Sequence, residues 1–109
     1  MSLYAEYIKE HDDADIIEWK NGYLTYKQID VNTVYLMDIY VKPKARRKDL
    51  GKKLLDEGAK RAKELGCIQV LGSVIPSANN SNLSMKFCLD WGYKLSVCEK
   101  DKIWLIKEI

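Results

Sequence analysis

Val34-Tyr35-Leu36-Met37-Asp38-Ile39-Tyr40-Val41, then Lys42-Pro43-Lys44-Ala45-Arg46-Arg47-Lys48, then Asp49-Leu50-Gly51-Lys52-Lys53-Leu54-Leu55, is the stretch that decides the fold. Its first part is a nearly continuous run of β-branched, aromatic and aliphatic residues, the composition of a central strand, with Asp38 as its one charge. Pro43 has no N–H to give a ladder and ends the strand. From Asp49 to Leu65 the positions Leu50, Leu54, Leu55, Gly58, Ala59, Ala62 and Leu65 share one face at helical spacing, with Lys and Glu opposite, which predicts a core-facing helix. Gly66 follows as its C-terminal cap. Gly58 costs about 1 kcal/mol against Ala inside a helix, so its presence points to a close approach of helix to sheet.

Downstream, Cys67 to Ile75 reads as a second buried strand, and the intervening helix makes a parallel β-α-β unit the expectation. The polar loop Pro76-Ser77-Ala78-Asn79-Asn80 leads into a helix over Ser81 to Trp91, with Asn79 or Asn80 as N-cap and Gly92 as its stop. Tyr93 to Cys98 and Ile103 to Ile109, joined by Glu99-Lys100-Asp101-Lys102, form a closing hairpin. Upstream, Leu3 to His11 has helical spacing, and Asp15 to Trp19 and Tyr23 to Ile29 flank Lys20-Asn21-Gly22, where Asn-Gly between apolar runs signals a hairpin. A turn at Asp30-Val31-Asn32 then feeds the central strand.

A chain of 109 residues, 47% hydrophobic and 31% charged, suits one core, so a single domain over residues 1–109 is expected. No apolar run approaches the roughly 20 residues of a membrane helix, and Met1-Ser2-Leu3-Tyr4-Ala5 carries no basic stretch leading into an apolar one, so the expected compartment is the cytoplasm. Cys67, Cys88 and Cys98 form no CxxC pair and His11 is the only histidine, so no metal site is expected and the thiols read as small buried hydrophobes. The net charge of +2 is segregated: Lys42 to Lys53 is strongly basic, opposed only by Asp49, whereas Tyr4 to Glu18 is acidic apart from Lys9.

A strand, a basic turn and a helix start in that order make an anion site. The first amides of the helix have no intrahelical acceptor, the dipole is positive there, and Arg can grip phosphate oxygens in bidentate fashion. A diphosphate-bearing cofactor fits. Nucleic acid fits less well, because no aromatic residue interleaves the cations between Lys42 and Lys53 and the rest of the chain is net acidic.

The chain resembles the GNAT acyltransferase superfamily. That pattern has a strand ending Val-x-Pro and then Arg/Gln-x-x-Gly-x-Gly/Ala opening a helix, and here Val41-Lys42-Pro43 and Arg46-Arg47-Lys48-Asp49-Leu50-Gly51 take those places. Asp90-Trp91-Gly92-Tyr93 is similar to the second motif, which closes on Gly-Phe, and the likeness covers roughly residues 34 to 98. The resemblance implies an α/β fold of the α+β kind, with a mixed, mostly antiparallel sheet around a central parallel β-α-β unit flanked by helices. It implies transfer of an acetyl group from acetyl-CoA to an amine by direct attack. The coenzyme A pyrophosphate would then lie on Arg46, Arg47, Lys48, Asp49, Leu50, Gly51 and Lys52, and the pantetheine would pair with Ile39, Tyr40 and Val41.

By the same resemblance Asp38 is the carboxylate that takes the amine proton, directly or through water. The tyrosine that assists the leaving thiolate in many relatives falls on Cys88, a weaker donor. Packing alone also accounts for Cys88, which lies in the apolar arc of Leu83, Phe87 and Trp91. An asparagine commonly contacts coenzyme near the second helix start; Asn82 is assigned that part here, although the usual position falls on Ser81 and Asn80 and Ser84 are neighbours. The first turn glycine is replaced by Asp49, expected to cap the helix with its side chain while its backbone still serves the ligand. A coenzyme-binding or protein-interaction module without turnover is the competing reading. The acceptor, whether small molecule or protein, is not specified by the sequence, and Trp19 and Trp104 leave a homodimer contact open.

Overall fold

A computed structural model describes residues 2–46, 49–77 and 81–109, with the backbone alone for 81–84. Along the chain come α1 (Leu3–Asp12), β1 (Asp15–Trp19), β2 (Gly22–Gln28), β3 (Thr33–Val41), a short 3-10 turn at Pro43–Ala45, α2 (Leu50–Glu64), β4 (Gln69–Val74), α3 (Ser81–Trp91), β5 (Lys94–Glu99) and β6 (Lys102–Glu108). The strands form one sheet in the order β1-β2-β3-β4-β6-β5. β3 and β4 pair in parallel and the other neighbours are antiparallel. The expected β-α-β unit is therefore present at the centre of the sheet, β3-α2-β4.

The apolar stripe of α2 buries Leu54, Leu55, Gly58 and Ala62 against the sheet. Ile17, Leu24, Val34, Leu54, Val70 and Leu105 are the largest side chains fully removed from water and fix where the core sits. Burying each such aliphatic side chain contributes about 1.5–3 kcal/mol. Gly58 does mark a close approach: a methyl there would lie 2.6 Å from Leu24 Cδ2 and 3.2 Å from Leu36 Cδ2. After Leu65 the chain turns through Gly66, whose N–H bonds the Lys63 carbonyl at 2.9 Å while the Cys67 N–H bonds the Ala62 carbonyl at 2.9 Å.

α1 occupies the opposite face. Its start is capped by the Ser2 hydroxyl, which accepts from the Ala5 N–H at 3.0 Å. Tyr4 meets Tyr23 at 5.4 Å between ring centroids, and Tyr23 meets Tyr40 at 5.7 Å. The expected N-caps Asn79 and Asn80 lie outside the described residues. Two expectations need correction. The thiols are not all buried, since Cys67 is buried, Cys88 half-buried and Cys98 exposed on β5. β3 is buried in its first half but exposed over Asp38–Tyr40, because its neighbour β4 leaves it there.

Candidate active site

Parallel pairing of β3 with β4 covers Thr33 with Gln69, Val34 with Val70 and Tyr35 with Leu71, and then stops. β3 continues to Val41 held by β2 on its other edge, and β4 continues to Val74 held by β6. From Leu36 onward the two strands diverge, and a cleft opens between Met37, Asp38 and Ile39 on one side and Gly72, Ser73 and Val74 on the other. Leu55 of α2, Cys88 of α3 and Tyr93 close it from the helical face. The β3 edge facing this cleft has backbone N–H and C=O groups with no strand partner among the described residues, and an extended ligand can pair with them.

A bulge sets the direction of Asp38. Thr25 stands opposite Asp38 but Tyr26 stands opposite Leu36, so Met37 is an extra residue in β3. Strict alternation would put Asp38 on the same face as Leu36, towards α2. The extra residue turns it to the other face instead, beside Thr25, whose hydroxyl accepts the Asp38 backbone N–H at 3.0 Å. Asp38 is exposed there and borders the cleft. Its field reaches α1: burial, the hydrogen bond to Tyr23 and the nearby Asp38 carboxylate together push the Tyr4 phenol up to about 12.

α2, which gives Leu55 to the cleft wall, begins at Leu50. The leading amides of that helix, Leu50, Gly51 and Lys52, have no intrahelical acceptor and form the donor set of an anion site. Asp49 precedes them with φ 55°, in the left-handed region, and makes no side-chain cap. The expected capping is therefore overturned, for a geometric reason. Side-chain capping needs extended backbone at the cap residue, and a left-handed residue carries its carboxylate elsewhere. Gly51 lies under α3, where a methyl would come within 3.1 Å of Phe87 Cζ.

Arg46 reaches back to the strand end, its Nε donating to the Val41 carbonyl at 2.9 Å and its guanidinium lying 5.9 Å from the centre of the Tyr40 ring. Arg46 thus lies next to Tyr40 and Val41, while Asp49, Leu50, Gly51 and Lys52 form the start of α2. Arg47 and Lys48 lie outside the described residues, as does the side chain of Asn82.

α3 is held by its last turn. Trp91 Nε1 donates to Asp56 Oδ1 of α2 at 2.8 Å, and Lys107 Nζ donates to the Trp91 carbonyl at 2.8 Å while sitting 3.7 Å from the indole centre. This brings Cys88 to the cleft wall, where burial pushes its thiol up and keeps it protonated. Beside it stands Tyr93, which sequence reasoning passed over as the first residue of a strand. The available signal was its hydroxyl, since the resembled motif closes on Gly-Phe and this chain on Gly92-Tyr93.

The site's parts are a strand edge freed by divergence, helix-start amides without intrahelical acceptors, and an acid turned to the face away from α2. The sequence model of the Acetyltransferase (GNAT) family matches residues 3–92. The chain belongs to the GNAT family. No curated protein sequence matches this GNAT chain. Among solved structures it is similar to a GNAT family acetyltransferase from Elizabethkingia anophelis with acetyl-CoA bound, at 16% identity and TM-score 0.76, over 95% of this chain and 82% of that one. It is also similar to PaiA N-acetyltransferase from Thermoplasma acidophilum in complex with coenzyme A, at 23% identity and TM-score 0.77, over 98% and 69% of the two chains. A third is the Bacillus subtilis acetyltransferase in complex with CoA, at 16% identity and TM-score 0.74, over 95% and 83%. At these identities the likeness is one of fold.

Proposed function

We propose that this GNAT chain is an acyl-CoA-dependent N-acyltransferase that moves an acetyl group from acetyl-CoA to a primary amine by direct attack. The observation that carries the reading is the divergence of β3 from β4, which leaves the β3 edge without a strand partner among the described residues, followed in the chain by the acceptor-free first amides of α2. The amides of Leu50, Gly51 and Lys52, with the cations Arg46, Arg47 and Lys48, take the diphosphate. The edge of Ile39, Tyr40 and Val41 pairs with the pantetheine amides, and the Asn82 side chain is assigned a further coenzyme contact. Coenzyme A supplies the acyl group as a thioester.

Asp38 faces the side of the sheet away from α2, so the amine approaches from there and gives its proton to that carboxylate, directly or through one water. The thiol of Cys88 lines the same cleft as a weak donor. Calorimetry with acetyl-CoA, coenzyme A and desulfo-coenzyme A tests the binding half, and release of free thiol across an amine panel tests turnover. Asp38→Asn is expected to lower kcat by about 10²-fold, the scale of general-base assistance, with coenzyme affinity unchanged. Absence of coenzyme binding overturns the reading. Binding without turnover in any broad panel favours the second reading, a coenzyme A-binding module, which the thiol at Cys88 in place of a phenol and the carboxylate at Asp49 support.

A further inference from the structure

We propose that the Tyr93 hydroxyl donates a hydrogen bond to the sulfur that leaves the thioester in the cleft. Tyr93 is 4% exposed, its ring fixed against Trp91 at 5.2 Å between centroids. Glycine at position 72 makes room for it: a methyl on that strand would lie 3.0 Å from the Tyr93 hydroxyl. Other well-covered phenols in this fold have partners, Tyr26 with Arg61 at 3.2 Å and Tyr35 with Ser73 at 2.9 Å. The Tyr93 hydroxyl has none among the described residues. Yet no fully buried side-chain oxygen or nitrogen among them is left without a partner, so this hydroxyl is not fully buried: it keeps its contact with the cleft it lines. A buried residue whose one polar atom is unpaired and opens on a cavity is held ready for a ligand atom.

The chemistry suits a donor that keeps its proton. Burial, with lesser contributions from Cys88 and Tyr35, holds the phenol far above the ordinary range. In the transfer the amine lone pair forms the C–N bond and the C–S bond breaks with its electron pair passing to sulfur. The amine proton leaves through Asp38 to water. The thiolate so formed accepts the Tyr93 O–H hydrogen bond and takes its proton from solvent on release.

The inference rests on the coenzyme reading above, and its test separates the two. The thiol of bound coenzyme A is titrated by its ultraviolet thiolate absorbance, with desulfo-coenzyme A as blank. In Tyr93→Phe it is expected to titrate about one pH unit higher than in the unsubstituted protein, a tenfold shift. Affinity for desulfo-coenzyme A should hold, the thermal midpoint should stay or rise because an unpaired hydroxyl is removed, and kcat should fall about tenfold with KM unchanged. If Tyr93→Phe fails to fold, Gly72→Ala serves instead, since its methyl displaces the hydroxyl and should raise the thiol titration in the same direction. Failure of the unsubstituted protein to bind coenzyme A sinks the cofactor reading. Equal thiol titration with and without the hydroxyl, at equal occupancy, overturns the Tyr93 role alone. A shift seen in Cys88→Ala and absent from Tyr93→Phe assigns the donor to the thiol and overturns it too.

Discussion

Asp49 shows what one residue can hide. Residue type alone made it a helix cap, because Asp is among the best caps, but capping depends on backbone dihedrals that composition does not carry. With φ 55° it holds a conformation that costs an L-residue about 1–2 kcal/mol and that Asp tolerates better than most. Glycine, which the resembled pattern has at this place, takes that conformation without a Cβ penalty. Asp49→Asn keeps the tolerance and removes the charge, and it is expected to tighten coenzyme A binding several-fold in calorimetry. Asp49→Gly should do the same and also raise stability by about 0.5 kcal/mol in urea unfolding, the relief being partly offset by a more flexible unfolded chain. Unchanged affinity in Asp49→Asn would place the carboxylate off the path of the diphosphate. Asp38 carries the complementary lesson. The sequence offered it as a candidate base, but only the extra residue Met37 turns it towards the open face, and a bulge in a run with no polar–apolar alternation leaves nothing in the pattern to detect.

At the scale of elements, α2 was the most legible. Its stripe repeats over four turns, and the glycine in that stripe announced the contact it serves. Gly58→Ala sets two effects against each other: about 1 kcal/mol gained in helix propensity, and about 1–3 kcal/mol lost by overpacking against Leu24 and Leu36, both almost wholly buried. The close contact decides the sign, so a net loss of about 1–2 kcal/mol is expected in denaturant unfolding; a gain would show that the sheet yields freely. β5 was less legible. Its β-forming residues read as a closing strand, and it is one, but it is an edge exposed along its whole length, and that depends on where the strand lies in the sheet order rather than on its own sequence. The divergence of β3 from β4 was likewise invisible, because both strands are largely apolar and pairing length is a tertiary property.

Across the whole molecule, the segregation of charge was readable in the sequence, a basic segment over Lys42 to Lys53 and an acidic one over Tyr4 to Glu18. Coenzyme A affinity should fall steadily as salt rises from about 10 mM to 1 M, where the screening length drops from ~30 to ~3 Å. Pantetheine, which lacks the phosphates, should bind independently of salt; equal slopes for the two would remove the basic turn from recognition. One last property follows from the short parallel pairing of β3 and β4. Among the described residues the ladder between β3 and β4 has three rungs, at Thr33, Val34 and Tyr35, with the Asn32 carbonyl accepting from Ile68 and Gln69 before them and the Tyr35 and Ser73 hydroxyls meeting at 2.9 Å beside them. The two halves are each braced by longer antiparallel ladders, so this seam, with α2 packed across β2, β3 and β4 on one side, is the least bonded line in the sheet. A guest that paired with the open edge of β3 would lengthen that seam, as a rivet adds to a short row of stitches.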